Sequence, residues 1–179
     1  MSELQTKAVP AQQPEPWLRG TLPEVPAVAR GVLHALELAR EDANRWCESL
    51  SENELHARPF DLPSIAFQLR HIGGSIDRLL TYAEGNQLTG EQIAVMKAEM
   101  DPGASRGTLF AEFEQGLDSA AGRVRALAAT DFEQPRGVGK KQMPTSVGGL
   151  LVHLADHTQR HVGQLVTTAK VLLASKTKA

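Results

Sequence analysis

Leu150-Leu-Val-His-Leu-Ala-Asp-His-Thr-Gln-Arg-His-Val-Gly-Gln-Leu165 is the stretch on which the reading of this chain turns. At about 100° per residue, Leu150, Leu154, His157, His161, Leu165, Thr168 and Leu172 fall on one side of a helix. The pattern predicts a long amphipathic helix, capped by Thr145 or Ser146 and running to about Ser175. It also places two histidines one turn apart near the centre of the stripe, on the side that meets the core.

Working outward, three more long helices are expected. Pro23 and Pro26 suit a helix start, where a missing N–H costs nothing. From there Val25, Ala29, Val32, Leu36, Ala39, Ala43, Trp46 and Leu50 recur at spacings of three and four. Residues 51–63, broken by Pro59 and Pro63, read as a connection. A second helix is predicted from about Ser64 to Glu84 on Ile65, Leu69, Ile72, Ile76, Leu79 and Ala83, with Gly85-Asn86 as its stop. Thr89 with Gln92 forms a capping-box pattern that opens a short helix to about Met100. Asp101-Pro102-Gly103 ends it, and a further long helix follows from about Arg106 to Ala129 along Leu109, Phe113, Leu117, Ala120, Val124 and Leu127. Residues 130–144, with Pro135, Gly137, Gly139 and Pro144, read as a long loop, and no segment carries a strand pattern. The expectation is an all-α fold: a four-helix bundle with a short extra helix between its second and third long helices. Residues 1–22 read as a flexible arm, and residues 23–179 as one domain.

Composition narrows the function classes. The chain has 179 residues and is 41% hydrophobic, which suits one globular domain. A net charge of −2 and an aromatic content of 4% argue against nucleic-acid binding, which calls for basic stripes or stacking platforms. One cysteine, Cys47, leaves no internal disulfide to form and suggests a reducing compartment. No apolar run reaches the ~18 residues of a membrane span, and the N-terminal residues lack the apolar stretch of a secretory signal. A cytoplasmic location is expected. Cys47 reads as a small buried apolar residue.

His157 and His161 carry the chemistry. Two imidazoles on a core-facing side need buried hydrogen-bond partners or pay a desolvation penalty, and two protonated rings would repel each other. A shared divalent metal answers both needs, because it takes a lone pair from each neutral ring. The alternative is a pair of core histidines satisfied by neighbouring polar groups. An open metal site needs a third ligand from another helix. His71, midway along the second long helix, is the candidate, though it points about 120° from the centre of that helix's apolar stripe. Gly73 and Gly74 beside it suit a partly open cleft. His153 falls at the edge of the last helix's stripe and reads as lining the cleft or supporting the ligands, as do Gln164 and His56. His34 lies off the first stripe and reads as solvated. With Asp77 in place of His71 the site would become an iron-type facial triad.

His71 within Gln68-Leu-Arg-His-Ile72, together with His157-Thr-Gln-Arg-His-Val-Gly-Gln164, resembles the DinB/YfiT-like superfamily of metal-binding four-helix bundles, the damage-inducible DinB family. That family's pattern has one ligand histidine on its second helix and a His-x-x-x-His pair followed by Gly-Gln on its fourth. The resemblance spans roughly residues 24–175 and implies that His71, His157 and His161 hold a divalent metal, zinc or nickel foremost and iron as a further candidate. It implies a metal-dependent thiol S-transferase or related thiol-dependent enzyme, acting on a low-molecular-weight thiol and an electrophilic small molecule. The alternative is a non-catalytic, stress-associated metal-binding protein or a structural homodimer. Homodimerisation is expected under each of these readings.

Overall fold

A computed structural model of the protein describes residues 13–176. They form six α-helices and one small hairpin: α1 (Ala27–Cys47), α2 (Glu52–His56), α3 (Ile65–Ala83), α4 (Gly90–Ala98), α5 (Arg106–Leu127), β1 (Pro135–Val138), β2 (Met143–Ser146) and α6 (Val147–Lys176). Helix starts follow local side-chain chemistry. The Ser64, Ser105 and Ser146 hydroxyls accept the backbone N–H groups of Phe67, Thr108 and Gly149, and Thr89 and Gln92 form a reciprocal capping box. Each such cap contributes about 0.5–2 kcal/mol. Among the described residues no helix is long and apolar enough to cross a membrane.

The four long helices enclose the core. α1 packs on α6 and α5, and α3 packs on the same two helices from the other side. Phe113, Leu117, Leu69, Ile72, Leu151, Leu154 and Leu165 are all essentially inaccessible to solvent. On α3, Leu80 takes the buried place expected of Leu79, which is only partly covered.

Several expectations need correction. Residues 135–146 are not loop: β1 and β2 pair antiparallel, with Pro135 opposite Ser146 and Val138 opposite Met143. The turn between them places Gly139 and Gln142 at φ +69° and +50°. Both strands are edges, so Pro135 and Pro144 are tolerated, and four-residue strands are too short to show alternation. Arg136 turns inward from β1, donating to the Ala83 carbonyl at the end of α3 (2.7 Å), while Lys140 and Lys141 stay exposed. Residues 51–63 are also more ordered than a plain connection, because Ser51 and Glu54 form a capping box that starts α2.

The arm expected over residues 1–22 lies outside the described residues as far as residue 12. The remainder is tied to α1, where Arg19 reaches Glu37 (2.9 Å) and Glu41 (2.6 Å). His34 is not solvated: it is buried, and its Nε2 lies 3.0 Å from the Thr21 hydroxyl. That contact with the folded-back segment is what covers it.

Candidate metal centre

The buried face of α6 is rotated from the expected stripe. Leu150, Leu151, Leu154, Thr158, Val162, Leu165, Thr168 and Ala169 are buried, whereas His157 and His161 are half-buried. Thr158 reads as polar in a sequence pattern, yet it occupies the centre of the stripe. The histidines therefore sit on its rim, turned toward α3 and toward solvent. His71 meets them there despite its offset. α3 buries a face wide enough to include Gln68 and Ser75 beside α6, and His71 borders that face.

The structure brings His71, His157 and His161 together. One ring nitrogen from each lies within 4.8 Å of the others. Ring centroids stand 4.3 Å apart for His71–His161, 4.5 Å for His157–His161 and 5.3 Å for His71–His157. Phe67, one turn before His71, stacks on its ring at 5.2 Å and limits its rotation.

Two of the three rings have their tautomer set by a neighbour. His71 Nδ1 is 2.7 Å from Glu99 Oε2. An ionised carboxylate only accepts, so the Nδ1 carries the hydrogen and a neutral His71 keeps a bare Nε2. His161 Nδ1 is 2.8 Å from Gln68 Oε1, while Gln68 Nε2 donates to Gln164 Oε1 at 2.8 Å. The amide orientation again leaves Nε2 of His161 with its lone pair. His157 differs: its Nδ1 is buried and has no hydrogen-bond partner among the described residues. Three rings that bring a nitrogen each within 4.8 Å, two anchored through Nδ1 and one with a nitrogen left unpaired, make a donor set a divalent ion satisfies, so the residues present fit such an ion.

Electrostatics point the same way. Burial first, then the neighbouring histidines and Arg160, push His157 from 6.5 down to about 4, and burial likewise lowers His161. Both rings are thus held neutral at ordinary pH, the form a metal requires. Burial works to raise the Glu99 carboxyl, but hydrogen bonds from His71 and Arg78 prevail and hold it below its usual value.

The profile of the DinB superfamily matches residues 35–165, a span that contains all three histidines. The chain belongs to the DinB superfamily. A search of curated proteins finds no significant match.

The other candidates in this DinB-superfamily chain fall outside the triad. His153 is exposed one turn before His157, with ring centroids 5.6 Å apart. Gln164 supports Gln68 and stands one step further from the rings. His56 does not line the centre; its Nε2 is 2.8 Å from the Ala104 carbonyl, where it pins the approach to α5. Asp77 points away from the histidines to Arg123 and Gln92, both at 2.6 Å, so it is not placed to replace His71.

Two supporting residues had no sequence reading of their own. Gln68 lies inside the quoted Gln-Leu-Arg-His motif, and full burial of a glutamine would have been its signal. Glu99 ends α4, far from any histidine in sequence, and nothing periodic marks it. Gly74 makes room for it: a Cβ there would stand 2.6 Å from Glu99 Oε1 and 2.8 Å from Arg78 Nη1. A cavity of about 550 Å³ opens between α3, α4 and α5; Glu99 lines it, and none of the three histidines does.

Proposed function

We propose that this chain is a divalent-metal-binding protein and that its three-histidine site serves a thiol S-transferase or related thiol-dependent reaction. One observation carries the metal reading: ring nitrogens of three histidines converge within 4.8 Å, with His71 and His161 each anchored through Nδ1 and His157 carrying an orphaned Nδ1. Zinc or nickel is the foremost ion for such a set, with iron as a further candidate.

Three protein ligands leave coordination positions open, and a bound ion would supply the acidity that turns a coordinated thiol into a thiolate at neutral pH. The chain's own residues prepare for this. His71, His157 and His161 present ring nitrogens, and Glu99 and Gln68 keep the His71 and His161 rings from turning. Arg160, exposed and ion-paired with Asp156, adds positive potential near the rings, which favours an incoming anion. The half-buried rim gives a low-molecular-weight thiol and an electrophile access that a core site would deny.

We further read the four long helices as a single four-helix bundle, supported by the way each packs on two of the others, and a homodimer as its assembly.

The test is metal content by mass spectrometry on protein purified without a histidine tag or nickel column, beside a His157→Ala/His161→Ala variant. Near-stoichiometric metal in the wild type, lost in the variant, is expected. A wild type that arrives empty and takes up neither zinc, nickel nor iron would sink the reading. A loaded protein that turns over no pairing of thiol and electrophile would favour the non-catalytic alternative.

A further inference from the structure

Little apolar burial holds α4 where it sits, since Ile93 and Ala98 are only half-buried. None of its residues is buried, and Val95 and Met96 are exposed. Polar pins hold it instead. Gln92 Nε2 donates to Asp77 Oδ2 (2.6 Å) and Thr81 Oγ1 (2.7 Å), and Arg70 donates to the Asp101 carbonyl just beyond the helix (2.9 Å). Glu99 completes the set. It occupies the C-cap of α4, where the helix dipole disfavours a carboxylate, and it is 6% exposed, where an unpaired charge is costly. Local physics opposes a glutamate at this position on both counts. Its partners account for it: Arg78 Nη1 holds Oε1 at 2.7 Å, which leaves Oε2 aimed at His71 Nδ1.

We propose that Glu99 is a positioning residue of the metal centre, carried by α4, and that metal retention depends on its carboxylate being seated against His71. This rests on the reading that the three histidines bind a divalent ion. A carboxylate accepting from the distal nitrogen fixes the ring and strengthens the Nε2 donor, and loss of such a partner typically costs 10–100-fold in metal affinity. Arg78 keeps the carboxylate paired whether or not an ion is bound. Gly74 leaves the space in which this pairing sits.

The experiment is a competition titration of the full chain with Co(II) against a chromophoric chelator, together with the visible spectrum of the Co(II) complex and far-UV circular dichroism. Glu99→Ala should weaken binding by about 10–100-fold and alter the spectrum while helix content holds. Glu99→Gln, which keeps an acceptor but no charge, should fall between that variant and the wild type. Gly74→Ala, which crowds the carboxylate without removing it, should reproduce the Glu99→Ala shift in a chain that retains Glu99. Glu91→Gln, exposed in the first turn of the same helix, should leave both readouts unchanged. Wild-type affinity and spectrum in Glu99→Gln and Gly74→Ala would overturn the role of Glu99 while leaving the three-histidine site standing. A wild type that binds no Co(II) would bring down the site itself, and this inference with it.

Discussion

α5 and α3 are neighbours of similar length, and they bury different things. α5 hides Leu109, Phe113, Leu117, Ala120, Val124 and Leu127, all apolar. α3 hides Ile65, Leu69, Ile72, Ile76 and Leu80, but also Gln68, Ser75 and Thr81. Each of those polar groups is accounted for. Gln68 joins His161 to Gln164, Ser75 donates to the Ile72 carbonyl, and Thr81 donates to the Asp77 carbonyl while accepting from Gln92. Burying a polar side chain gains little unless its partners are fixed, so a helix that does it repeatedly is holding something in place. α5 is a wall, whereas α3 is a mount.

Substitutions should separate the two roles, and the largest effect belongs to the wall. Phe113→Ala should cost about 3–5 kcal/mol of stability, read from urea unfolding, while the folded fraction still binds metal with wild-type affinity. Loss of affinity in proportion to stability would break the distinction. On the mount the pattern should reverse. Gln68→Leu keeps the bulk but leaves His161 unsupported, so metal affinity should fall by about 10–100-fold with a much smaller change in unfolding midpoint.

A weaker effect is expected from pH. Unfolded His157 takes up its proton near 6.5, and folded His157 resists until about 4. The unfolded state therefore binds more protons between those values, so the metal-free protein loses stability as pH falls through that window. Urea midpoints across it should drop for the wild type and drop less for His157→Gln. Equal slopes would mean that the histidine is not desolvated as described. The smallest effect should be at Cys47, fully buried where α1 meets the start of α5. Burial pushes its thiol up to about 12, against an opposing pull from Arg106. A thiol-specific reagent should label it only after denaturation; rapid labelling of the native protein would show that this end of the wall opens.

The contrast between wall and mount also marks how far sequence reading reaches. Every stripe residue predicted for α5 is buried, because a purely apolar face repeats with the helix and needs no partner to be recognised. The caps at Thr89 and Ser146 are legible for a similar reason, since a cap is a short-range event. The mount is harder. Gln68 and Glu99 act through pairings across 93 and 28 residues, and no periodicity encodes such distances. The rim position of His157 and His161 was misplaced because Thr158, polar in composition, is fully buried. The hairpin leaves no pattern in the sequence because its strands are short and proline-bearing.

His71 and the His157–His161 pair reside on α3 and α6, with the whole of α4, α5 and the hairpin between them in the chain. During synthesis, a polypeptide that has not yet emitted α6 carries one of the three imidazoles and has no chelating geometry to offer. The three-nitrogen arrangement therefore exists only once α6 has joined α3, and the chain offers no such site to any metal while it is still emerging.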